Sequence, residues 1–121
     1  MYVADLDAGG SRIINPRHFT LDEGFDKPHD WTADGKAVLF ASNRVHKQSL
    51  TEDTPKVILA GTANDRDTRV NPDGNWVISL VSPKSGDPSE PGKIMRIPIT
   101  GGSPELIFST QAHPVHISCA S

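Results

Sequence analysis

"WTADGKAVLFASNR", residues 31–44, and "NPDGNWVISLVS", residues 71–82, decide the fold. In each, a polar turn built on Asp-Gly, at Asp34-Gly35 and at Asp73-Gly74, feeds a short apolar run. Glycine supplies the positive φ that a tight turn before a strand requires. An Asp ahead of it accepts backbone N–H bonds, so Asp34 and Asp73 are expected to be structural although they recur. The two turns stand 39 positions apart, with Val38 matching Val77 and Leu39 matching Ile78 at the same offset.

A second landmark also recurs. "LDAGGSRII" (6–14), "LTEDTPKVIL" (50–59) and "ITGGSPELIF" (99–108) each place an apolar strand, a polar turn and another apolar strand in the same order. A unit of about 40–45 residues carrying four short strands is the sequence signature of a propeller blade.

The rest of the chain has the same rhythm. Ten Gly and ten Pro in 121 residues leave apolar segments only a few residues long, which predicts an all-β chain. The strand candidates are 1–6, 12–14, 37–42, 46–50, 56–60, 76–81, 93–99 and 105–109, rich in Val, Ile, Leu and Phe. "AVLFA" (37–41) and "WVISLV" (76–81) are nearly continuous apolar runs, as in strands covered on both faces, whereas "MYVADL" and "KIMRIPI" alternate as half-buried strands do. "TLDEGFDKPH" (20–29) and "SPKSGDPSEPGK" (82–93) read as the longer loops.

Composition narrows the function. With 36% hydrophobic and 22% charged residues and a formal charge of −3, the chain has a globular composition. Its Lys and Arg are scattered, so no nucleic-acid partner is expected. No apolar run approaches the roughly 20 residues of a membrane-spanning helix, and the start has neither a basic n-region nor an apolar h-region. A single cysteine, Cys119, allows no internal disulfide and no Cys-based zinc site of usual spacing.

Together these residues resemble the WD-like β-propeller repeat of the TolB type. Trp31-Thr32-Ala33-Asp34-Gly35-Lys36 with "VLFASNR" and Asn71-Pro72-Asp73-Gly74-Asn75-Trp76 carry its turn and following strand, and "MYVADLDAGGS" and "IMRIPITGGSP" match its third strand and Gly-Gly turn. The resemblance covers roughly residues 1–110. It implies four-stranded antiparallel blades: the end of one over 1–29, a second over 30–65, a third over 66–110, and a tail over 111–121. That is about two and a quarter blades, whereas a closed ring takes at least about four. The readings left open are a fragment of a larger propeller, a truncated gene product, and a piece that completes its ring with other chains. One irregularity stands out: the connection at Asn43-Arg44 is short, so either that turn is very tight or the following strand is abbreviated.

The resemblance implies a non-catalytic module that binds a protein or a small ligand, as in bacterial periplasmic and sensor proteins, which favours an extracytoplasmic setting. Its alternative is part of the gating propeller of a prolyl-oligopeptidase-type serine hydrolase, with the catalytic domain elsewhere. No G-x-S-x-G, P-loop, G-x-G-x-x-G or H-E-x-x-H pattern is present, and neither catalytic residues nor a cofactor are expected. His113 and His116 in "AHPVH" would need a helical turn to converge on a metal, yet Pro114 lies between them; they are read as incidental loop residues, and no metal is expected. The candidate binding rim is Lys27, His29, Asp30, Asp67 and Arg69, from the loops leading into equivalent strands near a central channel. Trp31 and Trp76 are expected to pack between blades. Exposed blade edges predict self-association.

Overall fold

The computed structural model describes residues 1–19, 27–41, 44–59, 64–82, 89–112 and 116–120. Among these residues ten strands form three antiparallel sheets. The first is two-stranded, β1 (Tyr2–Leu6) with β2 (Ile13–His18). The second has the order β3 (Lys27–Trp31), β4 (Ala37–Ala41), β5 (Val45–Ser49), β6 (Lys56–Leu59). The third repeats it with β7 (Asn64–Val70), β8 (Trp76–Ser82), β9 (Gly92–Pro98) and β10 (Glu105–Thr110). Two consecutive four-stranded meanders and the outer pair of a preceding one make a partial propeller.

The apolar strands are where their composition put them. All five residues of β4 are buried, because the sheet lies between two others. On one face Leu39, Val45 and Ile58 meet Val70, Val77 and Ile97 of the third sheet; on the other, Val38 packs with Val3 and Phe19. β1 departs from the expected alternation: only Val3 is buried, since nothing covers its other face.

The inner strands β3 and β7 do not follow from apolar pattern. "KPHDW" and "NDRDTRV" read as loop and turn, yet each forms the first strand of its sheet, so the sheets begin at Lys27 and Asn64 rather than at residues 30 and 66. What stabilises these polar strands is hydrogen bonding between neighbouring blades, described below. The predicted loop over 20–29 therefore ends at Lys27; its residues 20–26, and 83–88 of the loop over 82–93, lie outside the described residues.

Of the short connection after β4, residues 42 and 43, Asn43 among them, lie outside the described residues. β4 and β5 pair from Ala37–Ser49 through to Ala41–Val45, and the third strand keeps its full length. The two Asp-Gly turns form as expected. Asp34 Oδ1 accepts from Lys36 N at 3.0 Å and Asp73 Oδ1 from Asn75 N at 2.8 Å, and Gly35 and Gly74 take φ of 68° and 78°.

Trp31 is not packed between blades. It is 46% exposed, whereas Trp76 is half-buried beneath the Arg96 guanidinium, 4.3 Å from the ring centroid. Trp31 ends the inner strand at the edge of its sheet, where none of the described residues covers its ring fully.

Candidate functional site

β3 and β7 lie side by side, and their polar side chains join them. Each strand carries a bulge, between Pro28 and Asp30 in β3 and between Asp65 and Asp67 in β7. A bulge re-aims the residues around it. Here the result is a set of side chain to backbone bonds across the blade junction.

Asp30 accepts from Trp31 N through Oδ1 and from Val70 N through Oδ2, both at 2.9 Å. Arg69 reaches back across the junction, its Nη1 donating to the His29 carbonyl at 2.7 Å and to Thr68 O at 3.1 Å, and forms an ion pair with Asp67 Oδ1, 3.0 Å away. Asp67, with a side chain only 5% exposed, also accepts from Thr68 N at 3.1 Å and, through Oδ2, from Ile117 N at 3.0 Å. Burial alone would raise the Asp67 carboxyl pKa, but the Ile117 N–H, the Arg69 charge, His116 and the Thr68 N–H outweigh it and hold the carboxyl below its ordinary value. Asp67 is therefore an anion with its lone pairs largely spent.

His29 is the most enclosed member, its side chain 1% exposed. Its Nδ1 accepts from Thr68 N at 2.9 Å, and a backbone N–H can only donate. The same nitrogen cannot then donate to Asp67 Oδ1, 3.5 Å away, so that approach is not an ion pair. Burial, followed by the Lys27 charge, lowers the imidazole pKa; Asp67 opposes the shift without reversing it. The ring is accordingly neutral with its proton on Nε2, and that buried N–H has no partner among the described residues.

His116 completes the cluster from the far end of the chain. Its Nδ1 lies 2.5 Å from Asp67 Oδ2 and so carries a proton and donates. Arg69 Nη2, 3.4 Å from that nitrogen, is a cationic neighbour rather than a donor to it.

The five residues expected at the rim thus belong to one place, although they stand on strands and not in loops: His29, Asp30, Asp67 and Arg69 are interlocked, and Lys27 is exposed at the head of β3 beside them. His116, read as incidental, is a member; His113 lies outside the described residues. A sequence signal for it existed, since "KPHDW" and "HPVHI" share a Pro followed two residues later by a polar residue and then an apolar one. Among the described residues no group of three or more His, Cys, Asp and Glu could hold a metal ion, and no helix is long and apolar enough to cross a membrane.

Chemically the cluster is donor-rich. The two carboxylates are occupied by backbone N–H groups and cations, whereas among the described residues the Lys27 ammonium, the remaining Arg69 N–H groups, the exposed side of His116 and the buried His29 Nε2–H are not.

No protein-family model matches the chain, and no curated protein does. Among solved structures the chain is similar to a protein named as TolB, from Agrobacterium tumefaciens, with 28% sequence identity over 78% of this chain and a TM-score of 0.53. The chain spans 32% of the length of that protein. With its stacked four-stranded antiparallel sheets, the fold is a TolB-like partial β-propeller.

Proposed function

We propose that the chain is a non-catalytic propeller module that binds a protein or small ligand on its inner-strand rim, through Lys27, His29 and Arg69 with His116, the carboxylates of Asp30 and Asp67 holding the rim in shape. The observation that carries this reading is the imbalance just described: the acceptors are consumed inside the fold while donors are left over. A buried donor without a partner costs about 1–3 kcal/mol, a cost that a bound acceptor removes. Propeller relatives lend fold-level support, and fold alone does not fix function.

A peptide and fragment screen read by backbone amide shifts tests the proposal. Binders are expected to move the resonances of Lys27–Asp30 and Asp67–Arg69 first, and Arg69→Gln is expected to abolish those shifts. Hits that map elsewhere, or that survive Arg69→Gln unchanged, would count against it.

A further inference from the structure

At the turn end of the blades, beyond Trp31 and Val70, the second and third sheets enclose a cleft of about 460 Å³. Its walls are the two Asp-Gly turns, the outer half of β5 and β6, and Ile99. Ligand cavities fall between about 300 and 1,000 Å³. The cleft is thus large enough for a small organic molecule and much larger than a single ion.

Three lysines line it, Lys36, Lys47 and Lys56. Lys47 and Lys56 are direct cross-strand partners of β5 and β6, an arrangement that is unfavourable for like charges. Lys47 is half-buried and crosses the blade junction to donate from Nζ to Ile99 O at 2.7 Å, which leaves it two further N–H groups. Among the described residues none of the three ammonium groups has a carboxylate within ion-pair distance; the ion pairs there are those of Asp67 and of Arg96 with Glu105.

The cleft also holds Asp34, Asp73 and Glu52. Two of these are tied into their own turns: Asp34 Oδ1 accepts from Thr32 Oγ1 at 2.6 Å and from Lys36 N, and Asp73 Oδ1 from Asn75 N. Glu52 makes no such bond through its side chain. It tempers the field of the lysines and disfavours a highly charged polyanion.

We propose that this cleft binds a small organic oxyanion, a phosphate or carboxylate carrying one or two charges, with Lys47 as the anchor between blades and Lys56 and Lys36 at its mouth. The anion relieves the opposition of Lys47 and Lys56, and the Ala33, Ala37 and Ile99 surfaces receive the apolar part of the ligand. The site is separate from the inner-strand rim and does not depend on the reading of that rim.

Isothermal titration of the 121-residue chain with inorganic phosphate, and separately with succinate, tests the proposal and tells the two oxyanions apart. Saturable binding of at least one, at about 1 mM or tighter, is expected. Lys47→Gln and Lys56→Gln should each weaken it about tenfold, as loss of a charged hydrogen bond does. Glu52→Gln should tighten it, a gain that damage to the fold would not produce. Lys93→Gln, an exposed lysine on β9 away from the cleft, should leave it unchanged. Lys56 is exposed, so its variant remains informative if Lys47→Gln fails to fold. Absence of saturation with both probes up to about 10 mM, insensitivity to Lys56→Gln, or an equal loss in Lys93→Gln would overturn the proposal.

Discussion

Gly35 and Gly74 hold the same place in the same turn and have nearly the same φ, but their surroundings differ. A Cβ built on Gly35 meets nothing within 4 Å, whereas one on Gly74 comes 2.8 Å from the Ala33 Cβ of the neighbouring blade. Gly35→Ala should therefore cost only the left-handed backbone penalty, about 1–2 kcal/mol. Gly74→Ala adds the overpacking of two turns that cannot both stay in place, a further 1–3 kcal/mol or so, for a total of about 2–5 kcal/mol. Removing the opposing methyl in Ala33→Gly/Gly74→Ala should return the loss to about the Gly35→Ala value. Urea denaturation followed by the fluorescence of Trp31 and Trp76 measures all three. If Gly74→Ala costs no more than Gly35→Ala, or if Ala33→Gly gives no rescue, the close approach of the blade turns is wrong.

Other expectations follow from the same geometry. Because burial lowers the His29 pKa, the unfolded chain binds the extra proton first as pH falls; stability should be full above about pH 6.5 and decline below it by up to about 1.4 kcal/mol per pH unit. His29→Asn keeps an acceptor for Thr68 N–H but cannot titrate, and an unaltered slope in that variant would show that another group is responsible. Leu39→Ala, at a fully buried position, should cost about 2–5 kcal/mol, and Trp31→Ala less than about 1.5 kcal/mol; comparable losses in denaturant melts would contradict the exposure of Trp31. With Tyr2, Leu6 and Ile13 exposed at one end and Leu106, Ile107 and Phe108 at the other, the mass by light scattering should rise with concentration, and Phe108→Ser should oppose the rise. A monomer at every concentration would refute that.

What the sequence revealed depended on where burial is the organising force. β4 was legible because "AVLFA" is buried along its whole length, β8 because "WVISLV" buries Val77, Ser79 and Leu80 although its other residues are only half-buried, and the Asp34-Gly35 and Asp73-Gly74 turns because their chemistry is local. β3 and β7 were not, because an Asp, a His and an Arg that bond across a junction look the same in sequence as those of a solvated loop. His29, Asp30, Asp67 and Arg69 come together all the same, with Lys27 beside them, since they hold positions relative to the repeat that do not depend on whether the segment is loop or strand. His116 escaped because its partner Asp67 is far away in the chain, and the likeness of "HPVHI" to "KPHDW" is too short to announce a long-range acceptor. Trp31 was misjudged for the converse reason: a large aromatic side chain signals burial only if some surface is there to cover it.

The carboxylate of Asp30 takes the main-chain N–H of Val70, and that of Asp67 takes the main-chain N–H of Ile117. Each of these two bonds is thus specified by one side only. The incoming segment offers a group that every amino acid except proline possesses. These two bonds do not depend on which side chain stands there, although Val70 is held by its place in the core, and Arg69, Thr68 and His116 add bonds of their own. A segment gained by duplication can take up these two bonds without first acquiring a complementary sequence, and later drift in its side chains leaves the two bonds intact. Proline at 70 or 117 is the one replacement this coupling forbids outright.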